Sequence, residues 1–289
     1  MAAGGGDATT LSPLPDGFWE HWGDGQAELS GYQLVTPRYG ASREGYAVLI
    51  FVTETFTEAQ RVKSDGGHRD EFPVMKLNEI RHFQTGIYDY DLLTSTFVPL
   101  DGRAPIGVPT KVSFASQEWC GNLYDQLVVN GNSAHHTRHS YFDGEADLDE
   151  TEALEDGLFA DALPIAVRGL TGELVAPGAS LSTRVLPTLA STRLSHEAAH
   201  WSDATLTRDA GVHDVTVPAG TFAVASYMLT RPDGTTTWDV EAAAPHRIIG
   251  WRGSDGEIAQ LTGSIRSKYW EQHGPGDESN LTTLGLPAR

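Results

Sequence analysis

Alternation at period two is the feature that most constrains this chain. It is densest in two segments, Thr85-Gly86-Ile87-Tyr88-Asp89-Tyr90 running on to Thr94-Ser95-Thr96-Phe97, and Lys111-Val112-Ser113-Phe114-Ala115-Ser116-Gln117-Glu118-Trp119-Cys120-Gly121. Apolar and polar side chains exchange at every step there, as they do in half-buried strands. The polar positions carry Ser, Thr, Gln, Tyr and Glu rather than plain solvating Lys and Glu. Such side chains suit the inside of a cavity as well as an outer surface. Neighbours in a strand point to opposite faces, so Ser116 and Glu118 share one face while Gln117 and Trp119 share the other.

The same pattern recurs along the chain. Tyr46 to Val52 is an apolar, β-branched run that reads as a central strand. Further strands are expected at 72–77, 87–98, 110–119 and 123–129, with Asn130-Gly131-Asn132 as a turn, and Ser140-Tyr141-Phe142 in the strand that follows. The last third is antiparallel: strands at 215–217, 222–229, 235–240, 248–251 and 257–261 are separated by Pro218-Ala219-Gly220, Asp233-Gly234 and Asp255-Gly256. One stretch breaks the pattern. Asp147 to Glu152 places acids where a helix start favours them, and Leu154, Leu158, Phe159 and Leu163 form an apolar stripe. The clearest helix is therefore expected inside 148–164. The fold class that results is mainly β, a large curved antiparallel sheet or open β-barrel with one substantial helix. Residues 1–17 read as a flexible leader, 18–270 as a single β-rich domain with a possible subdivision near 145–180, and 271–289 as a frayed tail.

Composition narrows the function. A net charge of −19 repels phosphate backbones and anionic surfaces, so no nucleic-acid partner is expected. No apolar run is long enough for a membrane span. The single cysteine, Cys120, rules out an internal disulfide framework. The start of the chain lacks a basic and an apolar region of the signal type. Location is accordingly cytoplasmic, or the cell envelope or periplasm if a signal has been removed.

Two motifs point to metal chemistry. His196-Glu197-Ala198-Ala199-His200 matches H-E-x-x-H, which on a helix sets two imidazoles on one face for zinc with the Glu activating water. No third ligand follows in Trp201-Ser202-Asp203, so the preferred reading is a surface coincidence without zinc, and a metal-dependent hydrolase through His196 and His200 is the alternative. His135, His136 and His139 form a second cluster, read as a polar hairpin tip. Asp143 to Asp149 fails the EF-hand pattern at Leu148 and Leu154 and reads as a solvated helix start. Nucleotide-binding glycine motifs and nucleophile elbows are missing, and no cofactor is implied.

The segments from Pro37-Arg38-Tyr39-Gly40 through Glu44-Gly45-Tyr46 to Thr53-Glu54, with Thr85–Tyr88, Ser95–Phe97, Ser116–Gly121 and Ser140–Asp147, resemble an uncharacterised bacterial family. Its members are often exported or lipid-anchored, and many carry the label "septum formation inhibitor Maf". They are distinct from true Maf proteins, which are α/β nucleotide pyrophosphatases with a basic Ser-Pro-Arg-Arg-like motif. Val217-Pro218-Ala219-Gly220-Thr221-Phe222 is similar to β-barrel-like exported proteins of unknown function. The resemblance brings no catalytic residues with it.

The functional expectation is a non-enzymatic, envelope-associated binding protein whose cavity takes a small apolar or amphipathic ligand, with Tyr88, Ser116, Glu118 and Tyr141 as polar contacts. Glu118 has a second reading, as one half of a buried structural ion pair. The alternatives in function are the hydrolase above and a structural partner-binding domain. Oligomeric state is not readable from the residues.

Overall fold

A computed structural model describes residues 14–286. The described residues are mostly β, with 53% of them in strands and 11% helical. Its first half is a meander: β1 (Ala27–Arg38), β2 (Ala41–Thr57), β3 (Glu71–Thr85), β4 (Tyr88–Pro99), β5 (Lys111–Glu118), β6 (Gly121–Asn130), β7 (Ser133–Ser140) and β8 (Leu148–Ala153). Each pairs antiparallel with the next. The second half contains β9 (Leu158–Phe159), β10 (Ser180–Leu186), β11 (Ser202–Arg208), β12 (His213–Val217), β13 (Gly220–Arg231), β14 (Gly234–Glu241), β15 (Ile248–Gly253) and β16 (Ile258–Ser267).

The strand order is β8-β7-β6-β5-β4-β3-β2-β1-β16-β15-β14-β13-β11-β10-β9, with β12 paired to β13 off that path. Among the described strands, only β9 and β10 pair in parallel. The β1–β16 pairing joins the two halves, so one sheet of 16 strands curls around the core without closing. A twisted sheet of this size must curl, because strand twist accumulates across it.

The alternation seen in sequence sorts the faces. In β5, Val112, Phe114 and Ser116 are buried while the residues between them are not. The inner face contributes Tyr32, Leu34, Leu49, Phe51, Phe83, Tyr90 and Phe114 to the main core. Inside the curl runs a buried plug, residues 158–168, comprising β9, a 3-10 turn at Ala160–Ala162 and the single-turn helix α2 (Leu163–Ala166).

This plug corrects the expected helix over 148–164. Residues 148–153 are the edge strand β8, which lies against β7 with Asp149 opposite Thr137 and Thr151 opposite His135. Partners from the sheet outweigh the weak helical preference of a short acidic run. Leu158, Phe159 and Leu163 are all buried, but they meet core on every side rather than along a helical stripe. The chain contains no substantial helix among the described residues: α1 (Phe18–Trp22) and α3 (Leu189–Ser195) are also short. Residues 143–147 are a loop rather than a helix start, and β7 ends at Ser140, leaving Tyr141 and Phe142 outside any strand.

The tail is packed rather than frayed through Leu286. A 3-10 segment, Asp277–Leu284, lies on the outer face, where Leu284 and Leu286 join Ala27, Leu29, Ile50 and Val52 in a second apolar cluster. Gly31 and Gly263 make room for it. A Cβ on either would stand 2.3 Å from the Leu284 carbonyl oxygen or 2.2 Å from that of Thr283. Of the expected leader, residues 1–13 lie outside the described residues, and Leu14 packs against the main core.

Candidate functional site

A cleft of about 490 Å³ opens at one mouth of the curl. β1–β3 form one wall, β13–β15 and the turn after β15 the other, and α3 covers it. Thr188 caps α3, its side chain accepting a hydrogen bond of 3.0 Å from the Ser191 amide. The cleft is apolar along Leu49, Ala160, Pro164, Leu194, Leu229, Trp238 and Trp251.

Its charged end is an internally matched group. Arg81 donates to Glu79 (2.5 Å) and to Glu257 (2.8 Å), and Glu257 also accepts from the Trp251 indole (2.7 Å) and Thr36 (3.3 Å). Burial works against the Arg81 charge, but the two carboxylates outweigh it and hold the guanidinium more firmly protonated than usual. The position of these residues follows from the strand period. Counting by twos from Met75 through Leu77 to Phe83 puts Glu79 and Arg81 on the core face of β3.

Behind Ala160 and Pro164 lies Asp161. Burial pushes its carboxyl up to about 8, against the Leu189 amide, which donates to it at 3.2 Å. The nearby Glu79 charge raises it further and Arg81 lowers it. The group is accordingly a neutral acid through most of the physiological range.

None of the four expected contacts lines this cleft. Ser116 is buried, and its Oγ has no hydrogen-bond partner. Glu118 is buried against Arg193 of α3 in an ion pair, the second of the two readings the sequence allows. The Arg193 guanidinium also stacks over Phe142 at 3.8 Å. Tyr88 is half-buried, its ring 5.9 Å from that of Tyr90. Tyr141 stands in solvent. Glu118 nonetheless borders a polar network that reaches the cleft. It lies opposite Tyr90, whose hydroxyl is 2.8 Å from that of Tyr39 and accepts from Arg38 at 3.2 Å. Arg38 donates in turn to the Leu194 carbonyl (2.6 Å), and Arg38, Tyr39 and Leu194 all line the cleft. Burial and the bond to Tyr39 raise the Tyr90 pKa, whereas the bond to Tyr90 lowers that of Tyr39, and either hydroxyl can donate to the other.

The histidine motifs fall elsewhere. α3 ends at Ser195, and His196 takes a left-handed conformation with φ of 58°. Residues 197–200 are not helical, so His196 and His200 do not share a helix face. His196 bonds Glu145 through Nδ1 at 2.5 Å and Arg193 through Nε2 at 3.0 Å. His136 pairs with the buried Asp125 at 2.6 Å, while His135 and His139 meet Asp149 and Asp147. Among the described residues no group of three or more His, Cys, Asp or Glu stands close enough to hold one metal ion. No helix among them is long and apolar enough to cross a membrane.

Sequence reasoning missed Arg38, Arg81, Arg193 and Glu257. Arg81 had a signal, a charge at an inward step of an otherwise apolar face. Arg193 had none, because its partner lies 75 residues away in sequence.

No family model matches the chain, and no curated protein does. Among solved structures it is similar to a β-barrel-like protein of the domain of unknown function DUF1849 from Brucella abortus. The identity is 10%, the TM-score 0.49, and the alignment covers 90% of this chain and 100% of that one.

Proposed function

We propose that this is a non-enzymatic binding protein that holds the apolar part of a small amphipathic ligand in the cleft beneath α3. The observation that carries the reading is the composition of that cleft: apolar walls, with charged groups gathered at one end and already matched to one another. A ligand gains by covering Leu49, Leu194, Leu229 and Trp238, at about 25 cal/mol per Å² of apolar surface removed from water. Its polar end meets Thr36, Arg231 and the Arg81 group without having to break them. An envelope-associated setting, implied by the family resemblance, is part of the proposal.

The test is titration with the neutral apolar probe N-phenyl-1-naphthylamine. Ala190, on the cleft wall, is replaced by a bulky side chain in Ala190→Trp. We expect bright probe fluorescence with the wild type and at least about a tenfold weaker affinity in the variant, with little change in Tm. Equal binding by both proteins would remove the cleft from the reading.

A further inference from the structure

Every second hairpin of the first half turns at one end of the sheet. The tips between β1 and β2, β3 and β4, β5 and β6, and after β7 follow one another along a single rim. Each tip carries a large apolar or aromatic side chain in solvent: Tyr39 (61% exposed), Ile87 (80%), Trp119 (72%) and Tyr141 (70%). Only Val212, at the opposite end of the sheet, is exposed to a similar degree among the large hydrophobic side chains of the described residues. The row is built in. Gly121 lacks the Cβ that would stand 2.5 Å from the Tyr141 ring, so that ring can lie beside the Trp119 tip.

We propose that this rim docks the protein on the headgroup region of an uncharged, zwitterionic lipid bilayer. Successive tips on a sheet are separated by two strand spacings, about 10 Å. Side chains so spaced offer separate protrusions rather than the contiguous, close-packed patch that a protein partner requires. A fluid lipid surface flows around each one. Trp and Tyr, with an apolar body and a polar edge, favour that interface.

Charge decides the kind of bilayer. Residues 84–91, 117–123 and 140–147 contain no Lys or Arg but include Asp89, Asp91, Asp143, Glu145 and Asp147. The first tip carries Arg38 and Arg43, which stay cationic on their carbonyl partners, so the repulsion comes from the other three tips and from the whole chain. With a net charge of −19 the protein is repelled by anionic lipid. The cleft opens on the same rim, since Tyr39, Gly40, Asp233 and Asp255 lie on its wall. Docking does not depend on the cleft being a ligand site.

Flotation of the full chain with vesicles of phosphatidylcholine alone, and of phosphatidylcholine mixed with phosphatidylglycerol, tests this. We expect partition onto the first, weaker partition onto the second, and a fall of roughly tenfold or more in the double variant Ile87→Ser/Trp119→Ser. Circular dichroism checks that the variant is folded. Brominated phosphatidylcholine should quench part of the wild-type tryptophan emission, and that part should be missing in Trp119→Phe. Ala190→Trp should float like the wild type, which separates docking from ligand binding. Absence of partition onto phosphatidylcholine, a preference for the anionic vesicles, or partition unaltered in the double variant would overturn the proposal. Self-association of the wild type in sedimentation velocity, lost in the double variant without any vesicle binding, would assign the rim to protein contact instead.

Discussion

The two halves of the sheet are held in different ways. From β1 to β8 every strand pairs with its neighbour in sequence, and β1–β2, β3–β4, β5–β6 and β6–β7 are joined by two-residue turns. From β9 to β16 the chain detours. It threads the plug through the core, pairs β9 with β10 in parallel, and sets β11 beside β13 while β12 lies off the path. Contacts of small sequence separation specify the first half. The second depends on distant charged contacts that fasten the plug and α3 to the meander: Arg168 to Glu28, and Arg193 to Glu118. Turn chemistry can direct a hairpin, but a threaded segment needs partners far away in sequence.

The sharpest way to break this contrast is Arg168→Met. Arg168 is buried, meets the buried Glu28 at 2.8 Å and donates to the His246 and Pro245 carbonyls. Its loss leaves a buried carboxylate unpaired and should cost about 3–5 kcal/mol in urea denaturation. Arg168→Met/Glu28→Leu should recover most of that. A loss under about 1 kcal/mol in the single variant would mean that the plug is fastened by apolar packing alone.

Glu118→Gln should cost less, about 1–3 kcal/mol, because the amide keeps one hydrogen bond to Arg193. The damage should stay local. Hydrogen exchange should quicken in residues 189–195 and remain slow in 158–168. Uniform quickening would show that α3 and the plug open as one unit.

Asp161 supplies a pH dependence of defined sign. Its carboxyl has an unfolded value near 3.8 and a folded value of about 8. Between those limits the native state keeps a proton that the unfolded chain gives up, so this group makes stability fall as pH rises, by at most about 1.4 kcal/mol per unit. Asp161→Asn should flatten the decline between pH 5 and pH 8, by about the same scale, relative to the wild type. Parallel curves for the two proteins would show that Asp161 titrates alike in both states.

The smallest effect belongs to the outer edge. His135 and Asp149 meet at 3.0 Å with His135 partly and Asp149 largely in solvent, so Asp149→Asn should change stability by less than about 1 kcal/mol. A larger loss would give β8 a share in the cooperative unit that its exposure does not suggest.

Much of the first half was legible because its information is local. Alternation and glycine turns placed β2 to β6, and the Asp-Gly pairs placed the hairpins around β14 and β16. The stretch after Ser140 misled for a physical reason. Acids followed by an apolar stripe suit a helix start, yet the same residues serve as an edge strand and then as a segment buried on all sides. The cleft was less legible than the fold. Its walls come from strands on both sides of the β1–β16 seam and from α3, and no short window of sequence contains that juxtaposition. Tyr88, Ser116, Glu118 and Tyr141 were selected by residue type within one such window. The structure places them in the neighbouring polar network, in the core and on the rim.

The open sheet also bears on how copies of the molecule meet in concentrated solution. The main strand path does not close and has two terminal strands, each a template on which another chain can add and begin a fibre. At one end the template is hidden: β9 is only Leu158–Phe159, and both residues are buried inside the curl. At the other, β8 bears Asp149, Glu150 and Glu152 along six residues, so two such edges brought together repel each other. Concealment and like charge thus blunt end-to-end growth without the closure that a complete barrel uses.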